Sequence, residues 1–518
     1  MKAAYSRRLA GRRDAGVSVV AVRLLTDLTA GLSVLLAGCL PATPYLRPAV
    51  GVPTQWQAYG QGEGQGEGHA SEGQTTEGQA TEPSVANSPL SDAQQPSTGC
   101  EEEAGEWWRV FGDADLTRLV GEVLAVNSQL ARSAIRIHQA RLQAAGTASN
   151  AFPTVSTDIN AGARRVARMP VYEASYSLAL SYELDIWGKL AAERGAARWH
   201  ALGTEAARDG IRMTLVGDTA KHYWQIGYLN QELVRNEADL AHARRTLAIV
   251  QGQHEAGAAH GLDVLGAEQN VAAVEVRRLE LLAERTQHRN DLAILLDRPP
   301  KAWPQEPRHL PDGALPAVPD VLPADLLGRR PDLREAEAAL RESLAGVDKA
   351  RAQLYPSISL TANAGRASST LIGLLSNPIP GIGLGIVMPL LDWGKQQTEV
   401  GASRDEYEIR VAQFREKWYT ALAEVNSALS ERWKLLELDA LHAGSLDRAL
   451  RAEALARARF EAGLSDVRPW LEEQEKVRGL RGVLAKNQLG QLNGLVTLYK
   501  ALGGGAQVSP VPQGEHAS

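Results

Sequence analysis

From Tyr172 to Asp185 apolar and polar positions alternate. Tyr172, Ala174, Tyr176, Leu178, Leu180, Tyr182 and Leu184 fall on one side, and Glu173, Ser175, Ser177, Ser181, Glu183 and Asp185 on the other. A period of two predicts a strand with one apolar and one wet face. Val155, Thr157, Ile159 and Ala161, set against Ser156, Asp158, Asn160 and Gly162, supply a partner. The scheme returns in Ile358, Leu360 and Ala362, and again in Ile382, Leu384, Ile386, Met388 and Leu390. Each run is about 10 residues, the length of a tilted strand crossing a bilayer, and tyrosines flank one run as interfacial anchors do. The same alternation suits a half-buried sheet of a water-soluble domain. In lipid, however, every backbone donor must be paired, so four strands cannot stand as an open sheet. Single-chain barrels begin at about eight strands. A trimer supplies twelve strands and a dimer eight, and the trimer is the expectation adopted here.

The pattern changes to long Ala, Leu, Arg and Glu-rich stretches, free of proline from Leu190 to about Gln253 and from Leu262 to about Asp297. They recur from Gly394 to Ala462 and from Asp466 to about Ala501. More than sixty helical residues extend roughly 90–100 Å, well beyond an ordinary globular helix, which implies coiled-coil or tubular packing. Gly257 and Gly463 interrupt these runs and predict hairpin tips with left-handed helix stops. Small residues such as Ala196, Ala197, Ala206 and Ala207 allow close approach on two sides, as a tube requires; an antiparallel bundle has the same period. Residues 298–322, opening Arg298-Pro299-Pro300, read as a linker, and Pro331 opens a further helix.

Strands and helices together repeat. Phe152-Pro153-Thr154-Val155-Ser156 returns as Tyr355-Pro356-Ser357-Ile358-Ser359, displaced by 203 residues. Trp187-Gly188-Lys189 returns as Trp393-Gly394-Lys395, and Glu255-Ala256-Gly257 as Glu461-Ala462-Gly463, both displaced by 206. Self-similarity at this spacing is duplication. It divides 107–505 into copies at 107–297 and 323–505, with strands near 154–186 and 356–392, and leaves 506–518 as a disordered tail.

The chain starts with Arg7, Arg8, Arg12 and Arg13 before an apolar stretch ending Leu35-Leu36-Ala37-Gly38-Cys39. This reads as a secretory signal over 1–38; the arginines also suit a twin-arginine route or a start codon placed too early. Leu36-Ala37-Gly38-Cys39 resembles a bacterial lipobox, which implies lipid attachment at Cys39. Leu40, not aspartate, favours the outer membrane by analogy with lipoprotein sorting. Cys100 is then the one remaining cysteine, so no internal disulfide forms in the mature chain. No run of eighteen apolar residues follows Cys39, which excludes a helical membrane protein.

Formal net charge is −6. Residues 1–38 hold six Lys/Arg and two Asp/Glu, so their removal leaves −10, and residues 60–106 hold ten Asp/Glu with no Lys/Arg. The body is therefore near neutral and lacks the basic footprint of nucleic-acid binding. The Gly, Glu and Gln-rich stretch from Gly60 to about Glu106 has too little apolar material to offset ordering entropy. It reads as a flexible tether within a lipid-anchored segment over 39–106, or as an acidic recognition tail.

The combination resembles the TolC-like outer-membrane factors of tripartite efflux pumps, nearest the lipoprotein efflux branch (OprM/NodT-type). The resemblance is carried by Trp107-Trp108 with Phe111 and Asp113, by Tyr182-Glu183-Leu184-Asp185-Ile186-Trp187-Gly188, and by Leu326-Leu327-Gly328-Arg329-Arg330-Pro331-Asp332 with Ala336-Glu337. Glu424-Val425-Asn426 and Tyr499-Lys500-Ala501-Leu502-Gly503-Gly504-Gly505 complete it. It implies a mainly α chain with a membrane β-barrel portion, assembled as a homotrimer with a twelve-stranded barrel and a twelve-helix periplasmic tunnel. It also implies a periplasmic adaptor, an inner-membrane transporter of the resistance-nodulation-division class, outer-membrane lipid around the barrel, and a passive conduit with no catalytic residue and no cofactor. Two departures are the long insert after residue 60 and Asp297, where the pattern has glycine.

In that family acidic rings line a gate at the inner mouth of the tunnel. The matching positions here are Asp263 and Glu472, which serve either as a cation-selective ring or as a solvated helix face, with Arg468 as a pairing partner for a neighbouring helix. The tips at Gly257 and Gly463 are the expected adaptor contacts. His254-Glu255 with His260 lacks the spacing of a zinc helix, so no metal site is expected. Gly381, Gly383 and Gly385 lie on a strand and not before a helix, unlike a phosphate loop. Small-molecule efflux is the leading reading; protein secretion or metal-ion export on the same fold, and a lipid-anchored coiled-coil scaffold, are the alternatives.

Overall fold

The computed structural model describes residues 42–53, 56, 106–166, 169–300, 305–311, 315–316, 318, 323–368, 379–388 and 392–504. The signal over 1–38, Cys39, Cys100, most of the acidic insert, Leu390 and the tail after 504 lie outside them. After a 3-10 turn at Trp107–Phe111 come α1 (Ala114–Val126), α2 (Ser128–Ser149), β1 (Thr154–Val166), β2 (Met169–Leu184), α3 (Lys189–Glu255) and α4 (Gly261–Leu295). A 3-10 turn at Pro323–Asp325 leads to α5 (Leu326–Arg329), α6 (Pro331–Ala352), β3 (Ser357–Ser368), β4 (Ile379–Val387), α7 (Trp393–Glu461) and α8 (Arg468–Ala501). α3 and α7 run 67 and 69 residues. Neither keeps one apolar stripe along its length, so each needs neighbours on more than one side. Among the described residues no helix is long and apolar enough to cross a membrane.

The chain divides into two compact units. The first takes the described part of Met1–Ala49 with Ile135–Glu205 and Glu335–Arg415. It contains a four-stranded antiparallel sheet in the order β1-β2-β3-β4. In this unit α3 and α6 approach closely because their facing residues are small: a Cβ placed on Gly203 would lie 3.4 Å from that of Ala338. Lys349 to Glu193 at 3.1 Å and His200 to Glu342 at 3.3 Å flank this contact. Residues 42–49 lie on α6 without helix or strand of their own. Arg47 donates to Glu337 at 2.9 Å, and the Arg341 guanidinium sits between the rings of Tyr45 and Trp199, 4.3 and 4.5 Å from their centroids.

The second unit takes Val50–Ala134, Ala206–Arg334 and Glu416–Ser518, as far as these are described. Asp113 opens α1 by accepting from the amides of Asp115 and Leu116, both at 2.9 Å, the usual work of an N-cap carboxylate. Buried Asn127 closes α1 and starts α2: its Oδ1 accepts from Gln129 while its amide donates to the Leu295 carbonyl, both at 2.9 Å. The main core joins Trp107, Trp108, Leu116 and Val120 to Trp224, Leu229, Leu292 and Tyr499. Trp107 stacks on Tyr499 with centroids 5.4 Å apart. The linker after α4 is packed rather than free, since Leu310 is buried and Asn230 donates to the Pro307 carbonyl at 2.9 Å.

Candidate functional site: a one-faced sheet and two hairpin tips

Strand register decides what the sheet can face. Reading across the ladders, Val155, Leu180, Ala362 and Ile382 form one row, Tyr182, Leu360 and Leu384 another, and Leu184, Ile358 and Ile386 a third. All lie on one face, because a period of two keeps alternate residues together. Most of that face is uncovered, with Ile159 at 76% and Ile382 at 85% exposure; Ile358, in the row nearest the helices, is buried. The opposite face runs Thr154, Ser181, Thr361, Gly383 and Ser156, Ala179, Asn363, Gly381. Ser175, Ser177, Asn363 and Gly365 line a shallow concavity there.

On that side of β4 glycine leaves room for the side chains of β3. A Cβ on Gly381 would come within 2.3 Å of Asn363 Oδ1, and on Gly385 within 2.8 Å of Ser359 Oγ. The β3 side chains lie across the β4 backbone, and the Thr361 hydroxyl donates to the Gly383 carbonyl at 3.2 Å. Gly365 answers a backbone contact that cannot yield as a side chain can, because its Cβ would meet the Tyr176 carbonyl at 2.6 Å.

At the base of β2 the shared motif does mechanical work. The Asp185 carboxylate accepts from the Leu190 and Ala191 amides at 2.9 and 2.7 Å, capping α3, and Gly188 takes the left-handed conformation at φ 73° that turns strand into helix. Trp187 Nε1 donates to the Pro356 carbonyl at 2.8 Å, and its ring stacks on Tyr355 at 4.7 Å. The second copy has Leu391 in place of the capping aspartate. There α7 begins at Trp393, which is 48% exposed.

In the second unit both helical hairpins end alike. Gly257 at φ 76° donates to the His254 carbonyl and Ala258 to that of Gln253; Gly463 at φ 71° donates to Phe460 and Leu464 to Arg459. These paired bonds close a helix through a left-handed glycine. Val250, Ala267, Phe460, Val467 and Trp470 pack into one cluster that ties the two hairpins together, and Trp470 Nε1 donates to Glu453 at 2.9 Å.

The three gate candidates sit differently. Asp263 is buried and its carboxylate accepts from the His260 amide at 2.9 Å, completing a capping box at the start of α4. Its charge is engaged in the turn by that bond. Glu472 and Arg468 are exposed on the first turns of α8, and neither forms an ion pair among the described residues. Below them buried Gln474 has no hydrogen-bond partner at either amide atom.

A third feature was present in the motifs but without a role attached. Arg330, only 6% exposed, donates to both Asp332 oxygens at 3.0 and 2.8 Å, to Glu424 at 2.6 Å and to the Ala501 carbonyl at 3.1 Å. Burial would raise the Asp332 carboxyl, but the Arg330 hydrogen bonds and charge outweigh it and hold its pKa below the ordinary value. Gly503 must lack a side chain because its Cβ would meet the Arg329 backbone at 2.8 Å. The Arg-Arg-Pro-Asp and terminal glycine motifs are thus two halves of one joint. Sequence reading also missed the packed residues 42–49 and helices α1 and α2; Asp113 and Asn127 as N-caps were the signal available for the helices.

A sheet with one apolar exposed face, carried on helices of this length, defines an outer-membrane channel subunit. A family model described as outer membrane efflux protein matches residues 119–297 and 322–504, and the chain belongs to that family. The pyoverdine export outer membrane protein OpmQ of Pseudomonas putida is 28% identical over 442 residues, covering 82% of this chain and 94% of that protein. The probable efflux pump outer membrane protein TtgC of the same species is 30% identical over 444 residues, covering 82% and 90%. Among solved structures, the outer-membrane channel OprN superposes with a TM-score of 0.72 at 26% identity, over 77% of this chain and 92% of that one. The chain is an outer-membrane efflux channel component, of a family of conduits rather than enzymes.

Proposed function

We propose that three copies close a twelve-stranded barrel in the outer membrane, continued by a tunnel of paired helices, and that this conduit passes small molecules delivered by a periplasmic adaptor and an inner-membrane transporter. The observation that carries this reading is the open sheet: β1 and β4 occupy its edges, and an open edge in lipid leaves backbone groups unpaired.

Internal duplication supplies the register of closure. β4 corresponds to β2 displaced by 206 residues, and β1 to β3 displaced back by 203. Carried through, the β2–β3 pairing sets Ile386 opposite Ile159, Leu384 opposite Ala161 and Gly383 opposite Gly162 of a second copy. Apolar residues then meet apolar residues around the whole cylinder. By the same correspondence, Trp393 takes for its partners Phe152 and the Pro153 carbonyl of the next copy; Phe152 is 69% exposed.

The tips at Gly257 and Gly463 are the adaptor contacts, and Glu472 is the carboxylate free to form a threefold ring at the inner mouth, with Arg468 able to bridge to an adjoining helix. Asp263 contributes by holding the tip's shape. Unpartnered Gln474 supports a mouth that rearranges, since a half-satisfied buried polar site is costly to keep. Lipid on Cys39 would fix the chain three residues before the segment that packs on α6. The relatives named for pyoverdine, toluene and antibiotics fit a wall mainly of Ser, Thr, Asn and Gly, with Asp158, Glu173 and Glu183 as acidic members of the same face. Planar-bilayer recording tests the conduit: discrete conductance steps are expected, and Glu472→Gln should lower the cation preference. A trimer that gives no steps would overturn the reading in favour of a scaffold.

A further inference from the structure

The geometry points to a site for a divalent transition-metal ion, of the zinc, nickel and copper group, held by His222 of α3 with His288 and Asp291 of α4. All three residues belong to the second unit, remote in sequence from the tip histidines considered above. The His222 and His288 Nδ1 atoms are 3.0 Å apart, Asp291 Oδ2 lies 3.9 Å from His222 Nδ1, and the three donor atoms all fall within 4.8 Å of one another.

These spacings suit a shared ion. Zinc holds nitrogen and carboxylate oxygen at about 2.0–2.2 Å, so tetrahedral donors stand roughly 3.3–3.6 Å apart; the 3.0 and 3.9 Å separations come within a few tenths of an ångström of that spacing. The donor set, two imidazoles and one carboxylate, is the borderline type that such metals prefer. His288 and Asp291 are three residues apart on one helix and so share a face. Asp291 is also prepared from behind: Gln287, one turn earlier, donates to its Oδ1 at 3.0 Å, leaving Oδ2 for the ion. Such outer partners orient metal ligands and tune affinity. The cluster is reachable, with His222 and Asp291 side chains 25% and 30% exposed, and water completes the fourth position.

Without an ion the two imidazoles share one hydrogen bond at 3.0 Å, while Asp291 Oδ2 stands 3.9 Å from His222, beyond hydrogen-bonding distance. The site was illegible in sequence because its members stand 66 residues apart on different helices; only His-x-x-Asp was contiguous. Loaded, it clips α3 to α4 and opposes their sliding past one another.

The test is calorimetric titration of Zn²⁺ into the chelator-stripped, detergent-purified protein, with the visible absorption of Co²⁺ as a second readout of donor type and geometry. One ion per chain is expected. The His222→Gln/His288→Gln double variant should lose it, and Gln287→Ala, which spares every ligand, should weaken it by roughly 10- to 100-fold. Circular dichroism and particle mass check that each variant is folded and assembled. Zn²⁺ binding that persists unchanged in the folded double variant, or a wild type that binds none, would overturn the assignment.

Discussion

The two strand-to-helix junctions descend from one sequence yet differ in completeness. At the first, Trp187 is half-buried, bonded to the Pro356 carbonyl and stacked on Tyr355, because β3 of the other repeat lies beside β2. At the second, Trp393 and its would-be partner Phe152 are both exposed, at 48% and 69%. The contrast teaches that the repeat is a unit of wall: a junction is satisfied when another repeat stands beside it, and each chain carries one satisfied seam and two halves of an unsatisfied one. Duplication thus makes the internal seam a template for the external one.

The largest expected effect falls on the satisfied seam. Trp187→Ala removes a stacked indole and a hydrogen bond and should destabilise the chain by about 2–4 kcal/mol, read by denaturant unfolding. Trp393→Ala should leave the fold of the chain alone and lower the temperature at which the assembled particle dissociates.

Glycine sharpens the comparison further. Gly365→Ala drives a Cβ against the Tyr176 carbonyl and should cost about 1–3 kcal/mol. Gly162, its counterpart in the first copy, has open space around it within the chain. Gly162→Ala should therefore fold normally and impair assembly alone, which native mass measurement detects as a shift from trimer to monomer. Equal effects of the two substitutions on chain stability would break the correspondence.

The smallest effect lies away from both seams. Burial, and next Glu337, push the Tyr45 phenol up from 10 to about 12. The folded chain then holds that proton more tightly than the unfolded one, so the contribution is fully present below about pH 10 and is lost as pH rises through about 12. Thermal melts in that window should decline with pH in the wild type and less steeply in Tyr45→Phe.

Much of this architecture was legible beforehand because local rules agree with the global fold. Alternation over 172–185 fixed the apolar face, and Gly257 and Gly463 marked the tips, since only a left-handed stop ends two such helices alike. Contacts formed at long range were not legible. The inner-face glycines of β4 make sense only beneath Asn363, Thr361 and Ser359 of the neighbouring strand. Arg330 needs Glu424 and the end of α8 to have a role, and the capping bond of Asp263 to His260 forms only once the hairpin tip is folded. His222 and His288 meet only once α3 and α4 turn back on each other.

The central claim is that the internal seam predicts the seam between copies, and a cysteine pair tests it most directly. In a background lacking Cys100, Ile159→Cys with Ile386→Cys should, on oxidation in membranes, give covalent dimers and trimers, whereas either cysteine alone should not. Monomer throughout, or efficient bridging only when Ile386→Cys is paired with a position several residues from 159, would contradict the account.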